Sequence, residues 1–301
     1  MNTTSTIPDF THVGFIGLGM MGMPMVENLT RTGGLDVVAH DALDTHRATL
    51  QGWSAWGRHL HWAESLEGLA RCGLVITMLP NSGITNGVVA RLLPLLARGA
   101  VVVDMGSSNP ADTQALANDA AARGIEFVDA PVSGSVAKAR TGELSIMLGG
   151  SDAAIERIDA VMRRMGSKLI RTGAVGSAHA MKALNNYVYA AGLLAMAEAV
   201  TVASKAGLDL DVFASVLNAS SGRNVATETK LTQFVIPRTF NGGFQLRLQA
   251  KDIATARELA SRCGVRTPQM VLCEDLWRQA VQTLEPGADN TTIVRFIENL
   301  A

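Results

Sequence analysis

The stretch Val13–Met25, which reads VGFIGLGMMGMPM, decides how the first half of the chain is interpreted. Three glycines, Gly17, Gly19 and Gly22, stand in a run that is otherwise almost wholly apolar. Glycine weakens a helix or a strand because it loses more conformational freedom on folding than any other residue. These positions therefore indicate a backbone that must stay free of side chains, either to turn or to let another molecule approach.

Composition sets the broad class of the protein. With 301 residues, 48% of them hydrophobic and 18% charged, the chain can bury a large core in one large or two ordinary domains. A net charge of −1 gives no basic surface of the kind that binds nucleic acid. The three cysteines have no metal-ligand spacing, so we expect reduced thiols in a cytoplasmic protein without a metal site. The N-terminal stretch MNTTSTIPDFTH does not have the pattern of a signal peptide.

One apolar segment, Tyr187–Gly207, is long enough to cross a membrane. Glu198 lies in its middle, and a carboxylate is costly at that depth in lipid. Alanine also outnumbers leucine in this segment. The segment therefore predicts a buried helix of a soluble domain, with no membrane partner.

The first half of the chain alternates short apolar runs with stretches of helical spacing that end at glycine. The runs predict six buried strands, HVGFIGLG, LDVVAHD, LVITMLP, AVVVDMGS, IEFVDAPV and LSIMLGG. Strand and helix in alternation indicate βαβ units, and continuously apolar strands indicate a parallel sheet that is covered on both faces.

After about Gly173 the strand signals stop and only helical patterns follow. We therefore predict an α/β Rossmann-like N-terminal domain with a parallel sheet, joined by a long helix over residues 177–206 to an all-α C-terminal domain. The predicted dinucleotide-binding domain covers residues 10–173, and the helical domain covers residues 174–301.

The three glycines have the G-x-G-x-x-G spacing between a predicted strand and a predicted helix, which is the context of a dinucleotide fingerprint. The first would make a tight turn, the second would admit the pyrophosphate, and the third would let helix and strand pack closely. The phosphates would lie on the helix N-terminus. The predicted cofactor contacts of this loop are Gly17, Leu18, Gly19, Met20, Met21 and Gly22. The alternative is a purely structural turn.

Asp41 ends the second predicted strand, 19 residues after Gly22. An acidic side chain at this point accepts hydrogen bonds from the adenosine ribose and repels the additional phosphate of NADP. Neither Ala42 nor Leu43 offers an arginine for that phosphate. We therefore predict NAD as the cofactor. The alternative is that Asp41 only caps the next helix, for which Asp44 is the better candidate.

Four ordered motifs resemble the β-hydroxyacid dehydrogenase family, which includes 3-hydroxyisobutyrate dehydrogenases, tartronate semialdehyde reductases and 2-(hydroxymethyl)glutarate dehydrogenases. They are GFIGLGMMGMPM, DAPVSGSVAKARTGELSIMLGG, GAVGSAHAMKALNNY and GGFQLRLQAKDIATA. The resemblance extends from Val13 to about Ala260. It implies an NAD-dependent oxidoreductase that interconverts a small 3-hydroxy acid and its semialdehyde by hydride transfer, without a metal. The apolar long helix further predicts a homodimer or homotetramer.

Lys182 and Asn186 are four residues apart on the long helix, so both project from one face. An ammonium on a mostly buried helix is costly unless it has a partner or a task. The resemblance implies that Lys182 is the catalytic general acid/base and that Asn186 orients the substrate. The alternative for Lys182 is an ordinary exposed charge.

The resemblance also implies that the turn in DAPVSGS binds the substrate carboxylate through Ser133, Gly134 and Ser135. Ser135 stands where the family usually has a second glycine, so either the backbone tolerates serine here or the anion pocket is altered. The alternative is a plain polar loop.

Further cofactor contacts carry over from the family as expectations: Leu79 and Pro80 after the third strand, Ser107 after the fourth strand, and Lys251 in the helical domain. Gly106 departs from the family, which usually has a serine there. Asp252 could simply cap its helix.

Two other readings of the fold stay open, namely an imine reductase and a non-catalytic dinucleotide sensor. Both predict the loss of the lysine that is present here. Arg223 would bind a second carboxylate of the substrate or form an ordinary ion pair. His179 would tune Lys182 or serve as a core or hinge residue.

Overall fold

The computed structural model describes residues 10–300. The chain forms two compact units, and the boundary between them falls between Lys182 and Ala183. Each unit has its own hydrophobic core. We call them unit 1 and unit 2.

Unit 1 contains one nine-stranded sheet. Its strands are β1 (His12–Ile16), β2 (Asp36–His40), β3 (Leu60–Trp62), β4 (Leu74–Thr77), β5 (Val101–Asp104), β6 (Glu126–Asp129), β7 (Val132–Ser133), β8 (Leu144–Gly149) and β9 (Gly166–Gly173). The strand order is β3-β2-β1-β4-β5-β6-β8-β7, with β9 paired to β8. The six predicted strands are all present, whereas β3, β7 and β9 are additional.

The sheet is mostly parallel, which confirms the predicted Rossmann-like class. Strands β1 to β6 pair in parallel, as predicted. The predicted parallel pairing does not extend to the pairs that β8 forms with β6 and β7, which are antiparallel. A parallel crossover needs a connection of about a dozen residues or more, usually a full helix. Here the chain spends part of that length on β7 and on a helix of only 6 residues, Val136–Thr141.

Helices cover both faces of the sheet. Alternate residues of one strand belong to different cores: Ile76 of β4 packs into one cluster of buried residues and its neighbour Val75 into another. This explains the continuous apolar runs, which are clearest in β4 and β5, where every side chain is buried. The helices of unit 1 are α1 (Gly22–Arg31), α2 (Asp44–Gln51), α3 (Ser82–Leu92), α4 (Pro110–Ala121), α5 (Val136–Thr141) and α6 (Asp152–Met162).

Unit 2 is helical, as predicted. The long helix α7 (Ser177–Lys205) begins in unit 1 and continues into unit 2. It is followed by α8 (Leu210–Ala219), α9 (Leu246–Arg262), α10 (Pro268–Thr283) and α11 (Ile293–Leu300). A π-helical segment, Thr227–Val235, was not predicted. The core of unit 2 surrounds the fully buried Trp277.

Helix α7 is the one helix among residues 10–300 that is long and apolar enough to cross a membrane. Its residues Ala190, Leu193 and Ala197 are completely buried in the core of unit 2. A core helix of a folded domain meets the same criterion of length and composition, and this burial supports the prediction of a core helix.

Candidate active site

The three glycines of the loop after β1 differ in what a side chain at each position would contact. Gly17 has φ +100°, and a Cβ there would overlap the carbonyl oxygen of Met78. A Cβ at Gly22 would overlap the carbonyl oxygen of Gly17. At Gly19, by contrast, no atom of residues 10–300 other than those of Gly19 and its two chain neighbours lies within 4 Å of the Cβ position. The chain itself therefore requires the first and third glycines, while the second leaves an open cradle of the kind that a pyrophosphate needs.

The N-terminus of α1 follows this loop and can receive an anion. No side chain of the described residues caps it at Met21, and its first turn contains no acidic residue. The first backbone N–H groups of a helix have no partner within the helix, and the helix dipole favours negative charge there. The residues present thus fit the pyrophosphate of a dinucleotide.

Asp41 connects the end of β2 to the glycine-rich loop. The Leu18 N–H donates to its Oδ2 at 2.6 Å, and the Leu43 N–H donates to its Oδ1 at 2.8 Å. His46 Nδ1 lies 3.2 Å from Oδ1. Helix α2 begins at Asp44, and the side chain of its N-cap residue Leu43 accepts no hydrogen bond from the helix. Asp44 therefore lies in the first turn and not at the cap. Asp41 binds an N–H group just before α2 and also one of the glycine-rich loop, so the alternative that it only caps α2 is wrong.

The carboxyl ends of β4 and β5 adjoin the same loop. Leu79 Cδ2 would lie 3.1 Å from a Cβ on Gly17, and a Cβ on Gly106 would lie 3.0 Å from the Leu79 carbonyl oxygen. This close approach explains why Gly106 replaces the serine that the family resemblance leads one to expect. Ser107, which follows directly, is half-buried, and Pro80 is exposed.

The turn after β6 shows why Ser135 is tolerated. Gly134 has φ +142°, and a Cβ there would lie 3.0 Å from Leu144 Cδ2, so this position requires glycine. Ser135 has φ −80° and ψ 172°, an extended conformation that any residue adopts. The backbone therefore accommodates the serine side chain without strain. Ser133 is half-buried and pairs with Ser145 of β8.

Lys182 is half-buried on α7, three residues after His179. His179 is buried, with Nδ1 at 2.8 Å from Thr113 Oγ1. Its Nε2 donates to the Gly106 carbonyl oxygen at 3.2 Å. His179 is thus a core residue that connects the first turn of α7 to the loop before Ser107.

Unit 2 holds the remaining predicted residues. Asn186 is buried, and its Nδ2 donates to Asp252 Oδ2 at 2.5 Å. Lys251 Nζ lies 3.2 Å from Asp252 Oδ1, so one carboxylate contacts both predicted residues. Gln249 Nε2 donates to the Asn186 carbonyl oxygen at 3.0 Å. The expectation that Asp252 caps its helix is wrong, because α9 begins at Leu246.

Arg223 forms an ion pair within unit 2. Its Nε lies 2.5 Å from Glu228 Oε1, and its side chain is 64% exposed.

Unit 1 therefore gathers most of the predicted site. It contains the glycine-rich loop, the positions that contact or adjoin it, the turn at Ser133 and the first turns of α7 up to Lys182. Asn186 and Lys251 belong to unit 2. Among residues 10–300, no group of three or more side chains could hold a metal ion.

Nearly the whole of the described chain matches known protein families. Residues 12–174 match the NAD binding domain of 6-phosphogluconate dehydrogenase, and residues 176–297 match the NAD-binding domain of NADP-dependent 3-hydroxyisobutyrate dehydrogenase. The chain is 35% identical to 2-(hydroxymethyl)glutarate dehydrogenase of Eubacterium barkeri, over 88% of this chain and 87% of that protein. It is 31% identical to NAD-dependent L-serine dehydrogenase of Pseudomonas aeruginosa, over 88% and 91%.

Among solved structures, 3-hydroxyisobutyrate dehydrogenase of Mycobacterium tuberculosis with L-serine superposes with a TM-score of 0.87. It is 27% identical, over 95% of this chain and 98% of that chain. An imine reductase from Myxococcus stipitatus has a TM-score of 0.64 at 16% identity, which shows a shared fold and no more.

Fold, glycine-rich loop and family matches together define an NAD(P)-dependent dehydrogenase with a Rossmann-like NAD-binding domain. The chain belongs to the β-hydroxyacid dehydrogenase family. The resemblance found in the four sequence motifs is confirmed.

Proposed function

We propose that this protein interconverts a small 3-hydroxy acid and its semialdehyde by hydride transfer, with NAD as the cofactor. The observation that carries the proposal lies within unit 1. There the glycine-rich loop, the turn at Ser133 and the first turns of α7 with Lys182 belong to one compact body. The two relatives named above, a 2-(hydroxymethyl)glutarate dehydrogenase and an NAD-dependent L-serine dehydrogenase, support it, because both names denote dehydrogenases of acids that carry a hydroxyl group.

In the proposed reaction, bound NAD supplies the acceptor or donor of the hydride. Lys182 Nζ accepts the proton of the substrate hydroxyl during oxidation and returns it to the carbonyl oxygen during reduction. The Ser133 hydroxyl and the N–H groups of Gly134 and Ser135 bind the substrate carboxylate. Asn186 orients the substrate through its amide, whose position Asp252 sets.

We further propose that NAD is preferred over NADP. The support is the position of Asp41 at the end of β2, where its carboxylate lies against the Leu18 N–H of the loop. A negative charge at this point favours ribose hydroxyls and disfavours a 2′-phosphate.

A compact monoacid is the substrate class that the contacts of unit 2 favour. Arg223 already pairs with Glu228, so its charge is partnered within the chain. A diacid is the second candidate, because 2-(hydroxymethyl)glutarate dehydrogenase is a relative at 35% identity. We also propose that the protein is cytoplasmic. We further propose that it forms a homodimer or homotetramer, because Val188 and Val202 of α7 expose apolar side chains.

The test is NAD reduction with a panel of acids, combined with one substitution. The panel contains 3-hydroxyisobutyrate, glycerate, serine, 2-(hydroxymethyl)glutarate, threonate, 2,3-dihydroxypropanesulfonate and 4-hydroxybutyrate. Lys182→Ala should lower kcat by ~10²–10⁴, which is the usual contribution of a positioned acid/base. The Kd of NAD should stay unchanged, because the lysine serves the substrate oxygen.

The matched control is Lys205→Ala, which removes an exposed lysine in the last turn of the same helix. It should leave kcat unchanged. Turnover of Lys182→Ala near the wild-type rate would refute the role of this lysine. Binding of NAD by the wild type without turnover of any acid would favour a sensor or an imine reductase.

A further inference from the structure

Asp129, the last residue of β6, is a completely buried carboxylate to which the proposed chemistry gives no role. Both of its oxygens accept backbone hydrogen bonds. The Gly176 N–H donates to Oδ1 at 2.7 Å, and the His179 N–H donates to Oδ2 at 2.8 Å. These donors lie at the N-terminus of α7, where backbone N–H groups have no partner within the helix. Asp129 thus caps the long helix from another element of unit 1.

Two opposing effects act on the charge of this carboxylate. Burial raises the pKa of Asp129 above its ordinary value, and the nearby His179 ring and the two N–H donors offset only part of that rise by stabilising the charged form. The hydrogen bonds themselves hold the side chain in place, because a displacement would leave the carboxylate oxygens and the Gly176 and His179 N–H groups without these partners.

Gly149 shows that the chain reserves space for this carboxylate. It lies opposite Asp129 in the antiparallel pairing of β6 and β8. A Cβ at Gly149 would overlap Asp129 Oδ1 and would lie 2.9 Å from Ser177 Oγ, in the first turn of α7. The end of β8, the Asp129 carboxylate and the first turn of α7 are therefore packed so closely that no side chain fits at Gly149.

We propose that Asp129 is a positioning residue for Lys182, an inference that rests on the proposed function. Lys182 lies three residues after His179, about one helical turn from the capped N–H. Ser133, in the turn proposed to bind the substrate carboxylate, lies four residues after Asp129 in the sequence. The Asp129 carboxylate therefore fixes the position of helix α7, which carries Lys182, relative to the turn at Ser133.

The His179 side chain holds the same turn from a second direction. Its ring contacts Thr113 of α4 and the Gly106 carbonyl oxygen. The first turn of α7 is thus joined both to the carboxylate-binding turn and to the loop before Ser107. A displacement of about 1 Å in a reacting group can cost ~10²-fold in rate, so this double attachment bears on kcat.

Three substitutions test the proposal. Asp129→Asn keeps the shape but removes the charge and turns an amide donor toward a backbone donor. Gly149→Ala displaces the carboxylate without changing it. Both should lower kcat by ~10–10²-fold, the range expected for misplaced reacting groups, while the Kd of NAD stays unchanged. Thr113→Val removes the hydroxyl that contacts His179 and should lower kcat by a smaller factor. This variant tests the proposal if the other two variants do not fold.

Gly166→Ala is the matched control for crowding in the same sheet. Its Cβ would lie 2.6 Å from the Leu144 carbonyl oxygen, between β8 and β9, and does not contact Asp129. It should lower the unfolding temperature and leave kcat of the folded enzyme unchanged. A purely structural role of Asp129 would give all four variants this same behaviour.

A double-mutant cycle separates positioning from general damage. If Asp129 acts through Lys182, Asp129→Asn should cause no further loss of kcat in the Lys182→Ala background. An undiminished loss there, or wild-type kcat in the folded Asp129 and Gly149 variants, would overturn the inference. Wild-type kcat in Lys182→Ala alone would instead overturn the role proposed for Lys182, and the absence of turnover of any acid by the wild type would overturn the proposed function.

Discussion

At the scale of single residues, Gly19 and Gly22 form a natural pair for testing what the glycine-rich loop serves. Gly19→Ala adds a methyl group to a space that the described chain leaves open, so the free energy of unfolding should change by less than about 1 kcal/mol. The KM for NAD should rise about tenfold or more, equivalent to ~1.4 kcal/mol, because the methyl group occupies the space of the pyrophosphate.

Gly22→Ala, unlike Gly19→Ala, should clearly lower the free energy of unfolding. Its Cβ would overlap the Gly17 carbonyl oxygen, and overpacking of this kind costs ~1–3 kcal/mol. Thermal unfolding and NAD titration of both variants provide the check. A large loss of stability in Gly19→Ala with unchanged NAD affinity would show that the second glycine is structural.

Asp41 carries the prediction of cofactor preference. NAD should be used at least ~10-fold better than NADP, a difference of about 1.4 kcal/mol, and Asp41→Ala should narrow this ratio. Use of NAD itself should also weaken, because the Leu18 N–H loses its acceptor. The measurement is kcat/KM for both cofactors, with Asp44→Ala, an exposed acid in the first turn of α2, as the control. A wild-type preference for NADP would contradict the assignment.

Residue spacing indicated features of the site where they depend on a few consecutive residues, as in the loop where Gly22 lies against the Gly17 carbonyl oxygen. The contact of Asp41 with the Leu18 N–H joins residues 23 positions apart and depends on the parallel pairing of β1 and β2. The tolerance of Ser135 depends on a backbone angle that no residue type fixes. The contact of Asp252 with Asn186 joins residues 66 positions apart, so only folding brings it about.

At the scale of secondary structure, apolar runs predicted the strands that are buried on both faces and missed those that are not. Strands β3 and β9 alternate exposed and buried residues or are largely exposed, so they lack a continuous apolar run. The antiparallel direction of β8 was not predicted because hydrophobicity is the same for either direction. The π-helical segment Thr227–Val235 differs from an α-helix only in its hydrogen-bond pattern, which composition does not reveal.

At the scale of the whole molecule, the three cysteines give a test of the cores of both units. Burial raises the pKa of Cys72 in unit 1 and of Cys273 in unit 2 to about 11 each. A raised thiol pKa leaves less thiolate at any pH below that value, and the thiolate is the reactive form. Cys263 is exposed.

One thiol of the native protein should therefore react rapidly with Ellman's reagent at mildly alkaline pH, and all three should react in guanidinium chloride. Cys263→Ser should abolish the rapid reaction. Two or more rapidly reacting thiols in the native protein would mean that one of the two cores opens.

The boundary between the units inside α7 determines where recombination can join this chain to a relative. A junction after Gly173, where the sheet ends, would draw Thr113 from one parent and the His179 side chain that contacts it from the other. A mismatched junction of this kind risks a buried polar side chain without its partner, which costs ~1–3 kcal/mol. Chimeras with the junction after Lys182 would inherit threonine, histidine and lysine from one parent. In a library of chimeras with relatives of this family, folded and active proteins should therefore be more frequent when the junction lies within α7 than when it lies at the end of β9.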